Sequence, residues 1–245
     1  MRPDLAAAIA RDMGSPIVEA FPIGGGSIAA TVRATLDDGR MFTGEAHGLG
    51  WLAVEGGPRV PQVLAVRDES PGYLALEFIA SGRSSERGDA AMGRALATMH
   101  RASPPSFGLD RPNQLATIPL DNTPSARWTD FLRDRRIVPL TRRAVETGAL
   151  NGALARGIDR LCAELDDLLG PDEPPARLHG DLWGGNAMTD ASGGPVVLDP
   201  AVYGGHREID LAMMRLFGGF GPTVFAAYDE VYPLTPGHEE RVALN

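Results

Sequence analysis

Leu178-His179-Gly180-Asp181-Leu182-Trp183-Gly184-Gly185-Asn186 is followed, after a short interval, by Val196-Val197-Leu198-Asp199-Pro200. That spacing decides the fold. A His-x-Asp, an Asn five residues past the Asp, and a second Asp closing an apolar β-branched run make up the polar set of kinase-type phosphoryl transfer. Each residue type suits its task. The carboxylate of Asp181 can accept the proton of an attacking hydroxyl, and Asn186 and Asp199 offer the hard oxygens that magnesium takes. Gly184 and Gly185 let the loop turn tightly, while Leu182 can anchor it to the core. Ala187-Met188-Thr189 and then Asp190-Ala191-Ser192-Gly193-Gly194 predict a hairpin short enough to bring Asp199 back beside Asn186. A bare His-x-Asp is common by chance; the joint spacing is not.

Composition narrows the partners. With 245 residues the chain suits one large or two small domains, and 43% apolar with 22% charged residues is the make-up of an ordinary globular protein. A net charge of −9 argues against a nucleic-acid partner, which clustered cations would have to hold. No apolar run approaches the roughly 20 residues of a membrane helix, and Met1-Arg2-Pro3-Asp4 lacks the apolar segment of a signal peptide, so a cytoplasmic location is expected. Cys162, the single cysteine, excludes an internal disulfide and lies among Ile158, Leu161, Leu165 and Leu168 at helical spacing, as a packing residue. All 23 basic residues are arginines. Kinase folds place a lysine on the third strand against the α- and β-phosphates, so its absence has to be explained.

Along the chain, Leu5, Ile9 and Met13 predict an amphipathic helix ending near Gly14. Strands are expected at 17–21 and 28–36, joined by a turn in which Gly24, Gly25 and Gly26 would let backbone N–H groups approach a polyphosphate. Met41 to Leu52 reads as a helix, and Val60–Val66 and Tyr73–Ile79 as strands about a turn at Ser70-Pro71-Gly72. From Glu86 the pattern turns helical: a helix ending at His100-Arg101, one opened by Thr123-Pro124 as N-cap and first residue, and others at 150–169, 208–217 and 222–232. His100 reads as a helix-end residue.

The segments HGDLWGGN (179–186) and DPAVYGGHREIDLAMMRLFGGF (199–220) resemble the fructosamine kinase (ketosamine 3-kinase) family, which shares its fold with aminoglycoside phosphotransferases and choline kinases. The likeness runs from about Phe21 to Val242, with Gly184 where Ser is usual and Gly204 where an aromatic residue is usual. It implies an α+β, two-lobe protein kinase-like fold: a nucleotide-binding lobe at 1–81, with a small antiparallel sheet and one helix, and a mainly helical catalytic lobe at 82–245. It implies ATP and Mg2+ as cofactors and a ketoamine or other glycated amine as the small-molecule partner. Asp181 would be the catalytic base and Asn186 and Asp199 the metal ligands. Glu45 matches the helix glutamate that pairs with the strand lysine, and Glu77, Phe78 and Ile79 match the hinge whose backbone bonds adenine. Arg135 and Arg136, with Arg133, read either as a solvated helix face with partners such as Asp130 or, by the resemblance, as facing the substrate side of the cleft, as would Trp183, either as a lid or as packing, and His206 of the Gly-His-Arg-Glu segment. Asp210 resembles the buried carboxylate that steadies the catalytic loop, and His179 the architectural histidine of that loop.

Family members carry the lysine strand ahead of the Glu45 helix, whereas here only Arg40 separates Gly39 from that helix. Two explanations stay open. A stretch carrying the lysine is missing from the sequence near Arg40, which is the expectation, or the chain is a nucleotide-binding pseudokinase in which Arg33 or Arg40 substitutes poorly. Further helical residues are expected after Asn245. An aminoglycoside or choline kinase is the same-fold alternative. A metal hydrolase using His179, Asp181, Asp199 and His206 is disfavoured by the absence of an HExxH pair.

Overall fold

The computed structural model describes residues 3–14, 42–115 and 118–245. The glycine-rich turn at Gly24, Gly25 and Gly26, the strands around it, Arg33 and Arg40 therefore lie outside the described residues, and with them the question of the missing lysine.

Helix α1 (Pro3–Met13), helix α2 (Phe42–Leu52) and an antiparallel pair, β1 (Val63–Arg67) with β2 (Tyr73–Leu76), come first. Leu5, Ala8 and Ile9 of α1 pack on Tyr73, with Ala65 and Ala75 closing the cluster. Met13, expected on that buried face, is 43% exposed, while the preceding Asp12 accepts from Arg67 and Tyr73 of the sheet. The second strand ends at Leu76 rather than Ile79. The chain then continues irregularly to Ser81, which forms an antiparallel bridge with Asp190, and Gly82 N–H bonds Thr189 O at 2.8 Å.

Helix α3 (Glu86–Arg101) starts where Ser85 Oγ accepts the Gly88 N–H at 3.1 Å, a side-chain cap that satisfies an otherwise orphaned donor. A small antiparallel pair follows, β3 (Asn113–Leu115) with β4 (Ile118–Leu120). The next helix does not open at Thr123-Pro124. Thr123 Oγ1 donates to Asp121 Oδ1 at 2.6 Å, and Ser125 exchanges backbone hydrogen bonds with Phe107 in both directions, so those residues are held extended. The helix begins as α4 (Trp128–Phe131), passes through a π-helical turn (Leu132–Ile137) and continues as α5 (Val138–Glu146). Helix α6 (Gly152–Leu168) is capped by Asn151, whose Oδ1 accepts the N–H groups of Ala153 and Leu154, both at 3.0 Å.

Strand β5 (Ala176–Leu178) leads into the quoted loop, β6 (Ala187–Thr189) and β7 (Pro195–Val197) form the expected hairpin, and β8 (Tyr203–Gly205) returns to pair antiparallel with β5. Helices α7 (Glu208–Phe217) and α8 (Pro222–Val231) follow, then a short 3-10 turn at Glu240–Ala243. The main core gathers Leu96 and Met99 of α3, Phe131, Leu165, Leu178, Leu182, Val197, Met214 and Tyr228, all essentially inaccessible. Half-buried Cys162 packs against it, as the helical spacing requires. Among the described residues no helix is long and apolar enough to cross a membrane.

Helices α3 and α8 meet backbone to backbone. A Cβ on Gly93 would stand 2.1 Å from Val224 O and 2.9 Å from Tyr228 N, so only glycine permits this approach. Gly93→Ala is expected to lower the unfolding free energy by about 1–3 kcal/mol through overpacking, measured by urea denaturation. A variant as stable as the parent would show that the two helices part without cost.

Candidate active site

Strand β5 delivers the loop from the core outward: Leu178 before it and Leu182 within it are fully buried, and the polar residues between them are held by hydrogen bonds. Gly180 has φ +80°, and a Cβ there would lie 2.2 Å from Ala201 O. Any side chain would break the turn. The N–H groups of His179 and Gly180 both donate to the carboxylate of Asp210, to Oδ2 at 2.7 Å and Oδ1 at 2.9 Å, and Asp210 is wholly buried.

His179 is inaccessible, and its ring is committed on both sides. Nδ1 accepts the Asp181 N–H at 3.3 Å, so Nε2 carries the proton and donates to Leu198 O at 2.9 Å. Burial pushes its pKa down, and the ring stays neutral. It is an architectural residue that ties the loop to the Leu198–Asp199 segment.

Asn186 is tied directly to Asp181. Its Nδ2 donates to Asp181 O at 2.8 Å and to Asp181 Oδ2 at 3.0 Å, which leaves the amide oxygen for another ligand. The hairpin performs the return predicted from its length: Ala187 pairs with Val197, and Leu198 N–H bonds Asn186 O at 2.9 Å. Asp199 then takes φ +53°, the one non-glycine in the left-handed region among the described residues. Such a conformation costs of order 1–3 kcal/mol and persists where its surroundings enforce it. Half-buried Asp181 has its pKa raised, chiefly by burial and further by the charges of Asp199 and Asp210, against the opposing effects of His179 and Asn186. A carboxylate made more basic in this way is a better proton acceptor. Two carboxylates and one free amide oxygen are a hard-oxygen donor set of the kind that holds magnesium through a few protein ligands, the remainder coming from phosphates and water.

The other candidates are dispersed. Half-buried Trp183 folds its indole over Gly185. Gly184 N–H bonds Gly218 O at 3.0 Å, and a side chain at 184 would meet Gly219 Cα at 2.7 Å, so the glycine in place of serine is matched by its neighbour. Glu45 lies in the first turn of α2. Glu77 forms an ion pair with Arg59, and its own N–H already bonds Gln62 O at 2.8 Å; Phe78 is 70% exposed and Ile79 half buried.

Arg135 pairs with Asp121 at 2.9 Å. Arg136 is buried, its guanidinium 4.7 Å from the Phe131 ring and 4.5 Å from the Tyr203 ring, and it donates to Asp121 O at 2.7 Å and Asn122 Oδ1 at 2.6 Å. It is one ring removed from the loop, since Tyr203 packs beside Gly180. His206 is not brought to Asp181. It follows β8, whose Gly205 pairs with Ala176 at the end of β5 away from the loop, and it is buried beside Trp128 and Glu173. His100 lies in the last turn of α3, as the sequence reading has it; what that reading missed is that the ring is buried. Its Nε2 meets Asp210 Oδ2 at 3.1 Å and its Nδ1 the Tyr228 hydroxyl at 2.8 Å.

A family model described as fructosamine kinase matches residues 7–245. The chain belongs to the fructosamine kinase family. Among its relatives, the "probable ketoamine kinase" of Thermus thermophilus is 37% identical over 230 residues, covering 91% of this chain and 81% of the relative. The "protein-ribulosamine 3-kinase, chloroplastic" of rice is 37% identical over 207 residues, 82% of this chain and 59% of the relative. A crystal structure assigned as a fructosamine-3-kinase from Thermobifida fusca superposes with a TM-score of 0.86 at 35% identity, over 100% of this chain and 89% of that one. The gentamicin-APH(2'')-IIa complex, at TM-score 0.64 and 14% identity, shares the fold. This fructosamine kinase family member is thus a phosphotransferase with the kinase-like α+β fold that the sequence implied.

Burial disfavours the charge of Asp210, yet its hydrogen bonds with His100 and the Gly180 N–H more than offset it and hold the carboxyl below the usual range. The unfolded chain titrates near 3.9, so the stability that Asp210 contributes is complete above that value and is lost as pH falls through the lower folded one. Asp210→Asn is expected to be less stable at pH 7 by about 1–3 kcal/mol and to lose less stability below pH 4 than the parent, followed by thermal melts across pH.

Proposed function

We propose that this protein transfers the γ-phosphoryl group of ATP to a sugar hydroxyl of a ketoamine, the 3-hydroxyl of a fructosamine-type adduct. The acceptor reading rests on the family and on relatives named for ketoamines and for protein-bound ribulosamine. The reaction reading rests on one observation above the others: the Asn186 amide, bonded twice to Asp181, makes the base and a metal ligand a single unit.

Asp181 takes the proton of the acceptor hydroxyl as that oxygen bonds to the γ-phosphorus and the bond to the β–γ bridging oxygen breaks, releasing ADP. Asn186 and Asp199 would hold the magnesium ion, which supplies charge neutralisation at the phosphates. His179 and Asp210 do not react; they keep the loop in shape. Most of the rate comes from position and electrostatics, because a loose phosphoryl transition state asks little covalent work of the protein. The nucleotide would lie between residues 1–81 and 82–245, with the Glu77–Ile79 backbone at its base. Of the arginines in this sequence, Arg33 and Arg40 lie between the glycine-rich turn and α2, beside the point near Arg40 where a lysine-bearing stretch is expected to be missing.

Asp181→Asn is expected to reduce turnover by about 10²–10⁴-fold or more while calorimetry still detects binding of Mg·ATP. The assay is a coupled ADP-release measurement against free fructosamines, aminoglycosides and choline. Activity that survives the substitution would remove Asp181 from the mechanism, and turnover only with the latter two acceptors would move the protein to the same-fold alternative.

A further inference from the structure

Helix α2 has no basic residue in its last turn, although the carbonyl end of a helix carries partial negative charge. That charge is met from elsewhere in the chain. Arg177, in β5 and two residues ahead of His179, donates from Nη1 to Trp51 O at 2.6 Å in the last turn of α2. From Nε it donates to Ala102 O at 2.9 Å, at the C-cap of α3. Its guanidinium carbon lies 4.7 Å from the centre of the Trp51 ring. Among the described residues no carboxylate forms an ion pair with it, and burial pushes its pKa down. Two helix ends, not an acid, balance this cation.

A second contact fixes the same helix one turn earlier. A Cβ on Gly48 would lie 3.2 Å from Pro200 Cγ and 3.5 Å from both methyl carbons of Val202, so α2 rests directly on the segment that follows Asp199. The helix that carries Glu45 in its first turn is thereby fastened at its other end to both flanks of the catalytic set, to β5 on one side and to residues 200–202 on the other.

We propose that Arg177 is a positioning residue for the nucleotide: it holds α2 in one orientation relative to the Asp181–Asn186–Asp199 set. The planar guanidinium is suited to this because its rigid fork serves two carbonyls in different directions while its face stacks on an indole, whereas an ammonium is a compact centre whose donors diverge from one atom and which has no flat face. The inference rests on the phosphotransferase reading, and it assigns Arg177 to the nucleotide half of the reaction.

The test compares Arg177→Met and Arg177→Lys with the parent, each prepared with 5-fluorotryptophan so that Trp51, Trp128 and Trp183 report separately by fluorine NMR, the Trp51 line being identified with Trp51→Phe. The expected result for Arg177→Met is a displaced or broadened Trp51 line, an unmoved Trp128 line, and an apparent KM for ATP raised about tenfold or more with the KM for the acceptor unchanged. Arg177→Lys should fall between the two. The inference is overturned if the Trp51 line moves while affinity for ATP stays within about twofold, or if the KM values for ATP and acceptor rise together. Binding of Mg·ATP by calorimetry is measured alongside. A parent protein that binds Mg·ATP but phosphorylates no ketoamine sinks the acceptor reading alone, and the calorimetric comparison of parent and variants then decides for or against Arg177.

Discussion

The carboxylate of Asp210 is the point on which the catalytic lobe closes. It is wholly buried, it comes from α7, and it accepts the first two N–H groups of the catalytic loop while His100 of α3 approaches from behind, backed in turn by Tyr228 of α8. A buried charge without partners would cost several kcal/mol. Here the compensation is supplied by the very groups whose geometry matters, so that the loop cannot change shape without stranding a charge. Three helices and the loop share one electrostatic requirement.

A second constraint turns that rigid loop into a site. The Asp199 backbone sits in the left-handed region at φ +53°, and on each side of it a bond runs back to the loop: Leu198 to Asn186 and to His179 before it, Ala201 N–H to His179 O at 2.8 Å after it. The strained residue is thus clamped from both sides by the structure that Asp210 holds. Asp181, Asn186 and Asp199 are consequently set by backbone hydrogen bonds and not by side-chain packing alone, which is the preorganisation an electrostatic mechanism requires.

The sequence carried these features to different depths. The loop, the hairpin and the return of Asp199 were legible because spacing and turn chemistry are local, and Asp210 was legible through the family resemblance. His100 was not, because a histidine in a helix's last turn looks the same in sequence whether it faces water or a carboxylate 110 positions away. The start of the helix at Trp128 was misplaced for a related reason: Thr123-Pro124 is a sound capping signal, but Asp121 takes the threonine hydroxyl and Phe107 takes the Ser125 backbone. His206 was drawn toward the active site by its motif, whereas the antiparallel register of β8 on β5 carries it to the far end. Tertiary pairing overrode local pattern in each case.

A chain without lysine shows what arginine alone can do. Arg207 grips Glu173 with two nitrogens, at 2.6 and 2.7 Å, also donates to Tyr232 O and Pro233 O, and lies 3.7 Å from the centre of the Tyr232 ring. Arg241 grips Glu208 in the same forked manner at 2.8 and 2.6 Å and reaches Pro236 O and Thr235 Oγ1. Among the described residues Arg136 and Arg177 form no ion pair with a carboxylate, each combining carbonyl acceptors with an aromatic face. All four spread their donors over one rigid planar fork and most lay its face on an aromatic ring, a geometry that a compact ammonium does not reproduce. The structural cations of this lobe are therefore of a kind that lysine could not replace.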